Sequence, residues 1–187
     1  MTITKNLTVA PGAQLNPHAA TFAVVHVMGN VKVGKDGILG LGQYGPPTIQ
    51  QTGTVVDGNI EAHQPQSLYL SAITIHGNLS SDGGNGPGLN FPIKNVIVDG
   101  NVELHNWSGL WIGLFRSTIG GNVIFSNNTG TQTGPDGSPD SSEVADNVIT
   151  GNLVCQRNEP AAQFGDSGGG PNTVGGKAVG QCANLVQ

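Results

Sequence analysis

The chain is 187 residues long, with seven basic against twelve acidic side chains, a net charge of −5 and only 10% charged residues. That balance leaves no footprint for nucleic acid or for an anionic membrane surface, and no stretch approaches the roughly 18 apolar residues of a span, so no membrane insertion is expected. The length is that of one domain, residues 1–187, and the 30 glycines suit a fold rich in corners.

Residues 1–24 read as an N-terminal cap and first coil, with Leu7, Val9 and Leu15 apolar and turns at Pro11-Gly12 and Asn16-Pro17. The opening Met1-Thr2-Ile3-Thr4-Lys5 is not a signal peptide. A unit ending in Gly-Asn then recurs, with asparagines at Asn30, Asn59, Asn78, Asn101, Asn122 and Asn152, spaced 29, 19, 23, 21 and 30 residues apart. Thr173-Val174-Gly175-Gly176-Lys177 is a seventh, degenerate copy, with lysine in place of asparagine. A period near 20 with longer excursions is the signature of one coil per repeat and loops inserted at a tolerant corner.

Around each corner the apolar residues alternate at strand spacing. Val27, Val56, Ile75, Val98, Ile119 and Ile149 stand three residues before the asparagines, and Val31, Ile60, Leu79, Val102, Val123 and Leu153 one residue after. Both columns must face inward, because a coil buries nothing until it is stacked. The glycine suits a backbone needing positive φ, and stacked asparagines can hydrogen-bond between coils to satisfy corner amides. The predicted fold is all-β: a right-handed parallel β-helix, or β-solenoid, of about seven coils with inserted loops.

Within that frame, Gly40 to Gly53 is a glycine-rich excursion holding Tyr44 and Pro46-Pro47. A further strand is expected at Leu68-Tyr69-Leu70, Leu89-Asn90-Phe91 and Leu110-Trp111-Ile112, which begin 9, 11 and 9 residues after their asparagines. Its outward residues, Tyr69, Asn90 and Trp111, with Trp107 nearby, form an aromatic strip for a sugar ring, or one covered by a loop or a second copy of the chain. Residues 127–144 and 157–172, rich in Gly, Ser, Asn, Pro and Asp, read as loop insertions, and 173–187 as the C-terminal cap. Cys155 and Cys182 fall in the last two coils. A disulfide there closes a loop of about 28 residues and contributes about 3.5 kcal/mol in the chain-entropy model, implying an oxidising compartment; two buried free thiols are the alternative.

Asp57-Gly58-Asn59-Ile60, Gly120-Gly121-Asn122-Val123 and Gly151-Asn152-Leu153-Val154-Cys155, followed by Val174-Gly175-Gly176-Lys177 and Gln181-Cys182, resemble a family of secreted actinobacterial parallel β-helix proteins. That family is built from Gly-Asn-Val rungs and ends in a cysteine pair. The resemblance spans about residues 5–185 and implies secretion and architecture, but no activity.

Stacking turns sequence columns into ladders about 4.8 Å apart. Asp57, His76 and Asp99 form one outward ladder; His63, Asp82 and His105, flanked by Glu61 and Glu103, form another. The first reading of both is charge complementarity on a solvated face. The sharper readings are an acid–base set for polysaccharide cleavage at Asp57, His76 and Asp99, and a divalent metal held by His63, Asp82 and His105. Glycoside cleavage needs carboxylates about 5 Å or about 6.5–9.5 Å apart, which Asp57 and Asp99 approach. Lyase chemistry on acidic glycans wants cations beside the substrate, and the middle coils offer only Lys94 and Arg116, both near corners, which counts against it. Asp82-Gly83-Gly84-Asn85-Gly86 and Asp136-Gly137-Ser138-Pro139-Asp140 read first as turns and second as calcium loops. Asp166-Ser167-Gly168-Gly169 resembles a serine-protease nucleophile segment but lacks partners at triad spacing. Thr54, Thr74 and Thr118 make no regular ice-binding ladder.

The sequence therefore predicts a secreted, non-catalytic structural, adhesion or binding protein without a cofactor. Its expected partners are a cell-surface glycan or further copies of itself. A polysaccharide lyase or hydrolase, or a dedicated carbohydrate-binding module, is the alternative.

Overall fold

The computed structural model describes residues 1–15, 24–43 and 50–187. The Asn16-Pro17 turn and Tyr44 with Pro46-Pro47 lie outside the described residues. The chain forms a parallel β-helix of three sheets, the first and second each eight strands deep. One coil supplies a short strand to each sheet in turn, as in Val102–His105 of the second sheet and Ser108–Phe115 of the third. Every strand pairing between coils is parallel. Both predicted inward columns are buried, no member more than 1% exposed. Burying each such side chain contributes about 1.5–3 kcal/mol.

The corner between the first and second sheets is the Gly-Asn motif. Each asparagine side-chain oxygen accepts the backbone N–H of the corresponding residue one coil later. The ladder runs from Asn6 through Asn30, Asn59, Asn78, Asn101, Asn122 and Asn152 to the Lys177 amide, with every link 2.8–2.9 Å long. The glycine has a different reason from the one expected. None of Gly29, Gly58, Gly77, Gly100, Gly121, Gly151 and Gly176 has positive φ. A Cβ at any of them would lie 2.3–2.5 Å from the Oδ1 atom of the preceding coil's asparagine. Glycine is there to let that oxygen in.

The ends of the ladder break the motif: Lys5 stands at the glycine position before Asn6, and Lys177 at the asparagine position after Gly176.

Positive φ is used instead at the other two corners. Asp36, Gln64, Asn106, Asn127 and Arg157 form one left-handed column, and Ala72, Asn95, Arg116 and Asp146 form the other. Each of these corners carries its own amide ladder in the C-terminal half, buried and pointing the opposite way along the stack. Asn128 N–H donates to Asn158 Oδ1, and Asn158 N–H to Gln181 Oε1, at 3.1 and 3.0 Å. At the third corner, Ser117 N–H donates to Asn147 Oδ1 and Asn147 N–H to Asn172 Oδ1, at 3.0 and 3.1 Å.

Residues 127–144 are loop only in part. Thr129–Gly130 and Ser142–Ala145 are strands of the third sheet, so the coil is interrupted and then resumed. Between them the chain makes a small turn, held by the Thr133–Pro139 bridge. Cys155 and Cys182, both fully buried, form a disulfide that ties the last coil to the one before it.

The ladder makes a clear prediction for stability. Gly100→Ala forces a methyl within 2.4 Å of Asn78 Oδ1. Chemical denaturation of Gly100→Ala, Asn78→Ala and the double variant should show Gly100→Ala less damaging in the Asn78→Ala background, by at least about 0.5 kcal/mol. Equal damage in both backgrounds would show that the glycine does not serve the ladder.

Candidate functional site

The outer face of the third sheet differs from the rest of the surface because it is partly covered. Trp111, Gly113 and Phe115 alternate with the inward Ile112 and Leu114 along Ser108–Phe115. Trp111 and Phe115 stack at 5.6 Å between centroids and 7° between planes. Gly113 makes this close approach feasible, since a Cβ there would sit 2.4 Å from the Trp111 ring and 2.5 Å from Phe115. Ala145 from the next coil, with Leu110 and Phe164, completes a second apolar cluster outside the solenoid bore. Trp111 faces outward, as expected, yet is only 4% exposed because these segments cover it.

The three predicted ligand-binding residues do not form one column. Asn90 is registered with Trp111. Leu70, however, is registered with Ile93, which places Tyr69 beside Pro92, two residues away from Asn90. All three still line one cleft of about 310 Å³, together with Pro92, Lys94, Gln132 and Ser167. The Lys94 ammonium lies over the rings of Trp111 (5.1 Å) and Phe115 (5.7 Å). Burial, with the nearby Arg116 charge, lowers its pKa from the usual lysine value. Trp107 is not part of this face; it is buried in the core against Phe91 and donates to the Gln66 carbonyl.

Behind the cleft lies Glu143, which neither motif nor spacing singled out. Its Oε1 accepts the Trp111 indole N–H at 2.9 Å, and it has no exposed surface. Gly165 closes over it, where a Cβ would lie 2.1 Å from the carboxyl carbon. Burial raises the Glu143 pKa to about 7, outweighing the Trp111 hydrogen bond, and the neighbouring Asp140 charge pushes it the same way. Asp140 and Asp166 stood in two separate glycine-rich segments of the sequence; here the Asp166 N–H donates to Asp140 Oδ1 at 3.1 Å. That juxtaposition had a faint signal in the two aspartate-bearing turns, but their meeting comes only from the stacking of coils.

The two outward ladders run along the stack as predicted, and acid pairs with histidine on successive coils at His76 and Asp99, while the other members find different partners. Asp57 bonds His26 through both carboxylate oxygens, at 3.0 and 2.9 Å, while His76 Nδ1 bonds Asp99 Oδ2 at 2.7 Å. His63, Asp82 and His105 are registered neighbours and share a shallow groove of about 380 Å³. Within it, Asp82 Oδ1 accepts from Asn106 Nδ2 at 2.7 Å, and His105 Nδ1 lies 2.6 Å from the Ser126 hydroxyl. Among the described residues, the group whose ligand atoms all fall within 4.8 Å of one another is Asp140, Glu143 and Asp166. Asp136 is engaged locally: its Oδ1 accepts from the Ser138 amide and hydroxyl.

Compared with known proteins, the chain matches no family model, no curated protein and no solved structure.

Glu143 sets a pH dependence. Its folded pKa lies above its ordinary value of 4.5, so the folded state holds the proton more tightly than the unfolded chain does. The resulting stability is fully present below pH 4.5 and is lost as pH rises through about 7. With a chelator present, the unfolding free energy should fall by on the order of 1–2 kcal/mol across this window. Glu143→Gln should flatten that part of the profile; an unchanged slope would assign the dependence to other groups.

Proposed function

We propose that the protein is a secreted, non-catalytic β-helix that binds an acidic saccharide of a cell surface in the cleft over the third sheet. The observation carrying this reading is the composition of the cleft. Tyr69, Asn90, Gln132 and Ser167 offer hydrogen-bonding groups suited to hydroxyls, and Lys94 offers a cation for a carboxylate or sulfate. No carboxylate lines the cleft among the described residues. Glycosidases need two that reach the substrate. Glu143 has a general acid's pKa, but it is fully buried behind Trp111, and a general acid must come within hydrogen-bonding reach of its acceptor. The first outward ladder also favours a non-catalytic role, because Asp57 is paired with His26 and Asp99 with His76 on a solvated face.

Secretion is supported by the disulfide, a bond that persists in oxidising compartments. Among the described residues, no helix is long and apolar enough to cross a membrane.

Titration calorimetry against polyuronate and sulfated oligosaccharides should show saturable binding, weakened about tenfold or more by Lys94→Met and by Tyr69→Ala. Binding unaffected by either variant would remove the cleft from the proposal. Release of unsaturated sugar ends on prolonged incubation would make the protein a lyase instead.

Self-association is a second reading, favoured by one observation. Met1, Leu15, Val24 and Met28, at 40–73% exposure, fall in the first two coils, near the Thr2–Ile3 and Leu7–Val9 strands.

A further inference from the structure

We propose that Asp140, Glu143 and Asp166 form a divalent-cation site of the calcium type, which clamps the two covering segments onto the third sheet. Three independent features meet there. The ligand atoms of the three carboxylates lie within 4.8 Å of one another. Oxygens bound to one Ca²⁺ at about 2.3–2.6 Å can stand no farther apart than about 5 Å, so the group fits around a single ion.

The second feature is the state of the buried oxygens. Asp140 is 3% exposed and Glu143 0%. Each uses one carboxylate oxygen internally: Asp140 Oδ1 accepts from the Asp166 amide and Glu143 Oε1 from the Trp111 indole. The other two, Asp140 Oδ2 and Glu143 Oε2, accept no hydrogen bond. A buried carboxylate oxygen left without a partner is costly, and two of them beside a third carboxylate are costlier. Arg116 is paired with Asp146, and Lys94, over the Trp111 and Phe115 rings, is close enough to Glu143 to feel its charge but brings one positive charge to three carboxylates. A divalent ion would bridge all three groups at once and offset two of their three negative charges.

The third feature is access. Asp166 is exposed, and it lines with Asp140 an open cavity of about 550 Å³ between the turn at 131–141 and the segment that begins at Glu159. An ion can enter from this side and keep water on its remaining positions. The donors are all hard oxygens, with no histidine or cysteine among them, which selects calcium or manganese over zinc. This site does not depend on the saccharide reading.

Trp111 supplies the assay. Its indole is hydrogen-bonded to a proposed ligand, so Tb³⁺ in the site should give tryptophan-sensitised luminescence. With chelator-treated protein, Tb³⁺ emission should saturate, be displaced by Ca²⁺, and require about tenfold or more higher Tb³⁺ in Asp166→Asn. Asp166 is exposed, so that variant should fold; Asp136→Asn, in the neighbouring turn, should titrate as the parent does. Trp111→Phe should lose the emission while Ca²⁺ still raises the melting temperature. Emission that does not saturate, or a titration identical in the parent and Asp166→Asn, would overturn the site. So would a melting temperature unchanged by millimolar Ca²⁺.

Discussion

The whole stack depends on one hydrogen bond repeated at one corner: a side-chain carbonyl oxygen of asparagine taking the backbone N–H of the next coil. A β-helix must turn three times per coil, and every turn leaves amides that the sheets do not use. An asparagine is short enough to reach straight along the stack, and its carbonyl stands in for the missing strand partner. The same geometry brings Oδ1 to where a Cβ of the neighbouring coil would be, so the acceptor and the glycine are two halves of one constraint. Neither half has a purpose alone: the oxygen needs the open space, and the missing Cβ serves only to admit it.

The other corners solve the same problem with a different backbone. Where φ is positive at a non-glycine residue such as Ala72 or Arg116, the conformation is held by the sheets on both sides. There the acceptors are buried and come from the later coil. Asn147 and Asn172 each also donate a side-chain N–H to a strand carbonyl, Leu114 and Val144, so each amide serves both strand and corner. Among the described residues these amide ladders lie toward the C-terminal end, while at the third corner earlier coils use hydroxyls, Thr54 accepting from the Val25 amide and Ser117 from the Val96 amide.

This distribution decides what could be read from the sequence. The Gly-Asn corner recurs at fixed offsets from two apolar columns, so fold, inward faces and even the hydrogen-bonded ladder were legible in the order of residues. Positive φ at the glycine was the natural inference from residue type, but it misses a collision with an atom about 20 residues away. The third sheet was legible only modulo two. Placing Tyr69, Asn90 and Trp111 in one column keeps Leu68, Leu70, Phe91 and Ile112 on their inward face, because a slip of two residues preserves the alternation of a strand, whereas Leu89 and Leu110, expected inward, are half-buried and Leu110 packs in the outer cluster. The unequal offsets of 9 and 11 residues were the visible trace of the extra residues, which the structure places between Gly86 and Asn90 as a bulge. Glu143 was illegible. It looks like one more surface acid in a polar stretch, and only the resumption of the strand at Ser142–Ala145 carries it to a position opposite Gly113.

That position shows why chemistry gathers where the repeat is interrupted. In a regular coil each outward side chain meets the equivalent side chain of its neighbours, and charges pair along the stack, as His76 does with Asp99. Exposed pairs of this kind add little stability and leave nothing buried. An interruption brings residues of unlike coils together under cover, excluding water from the outer face and making a second apolar cluster around Trp111 and Phe115. Polar groups trapped at the edge of such a cluster must be matched or neutralised, and Glu143 is matched on only one of its two oxygens. The covering segments are therefore not ornaments on a finished scaffold. They create the one environment in this chain, among its described residues, where a carboxylate is both buried and incompletely satisfied by protein, and where an ion could decide how firmly the cover is held.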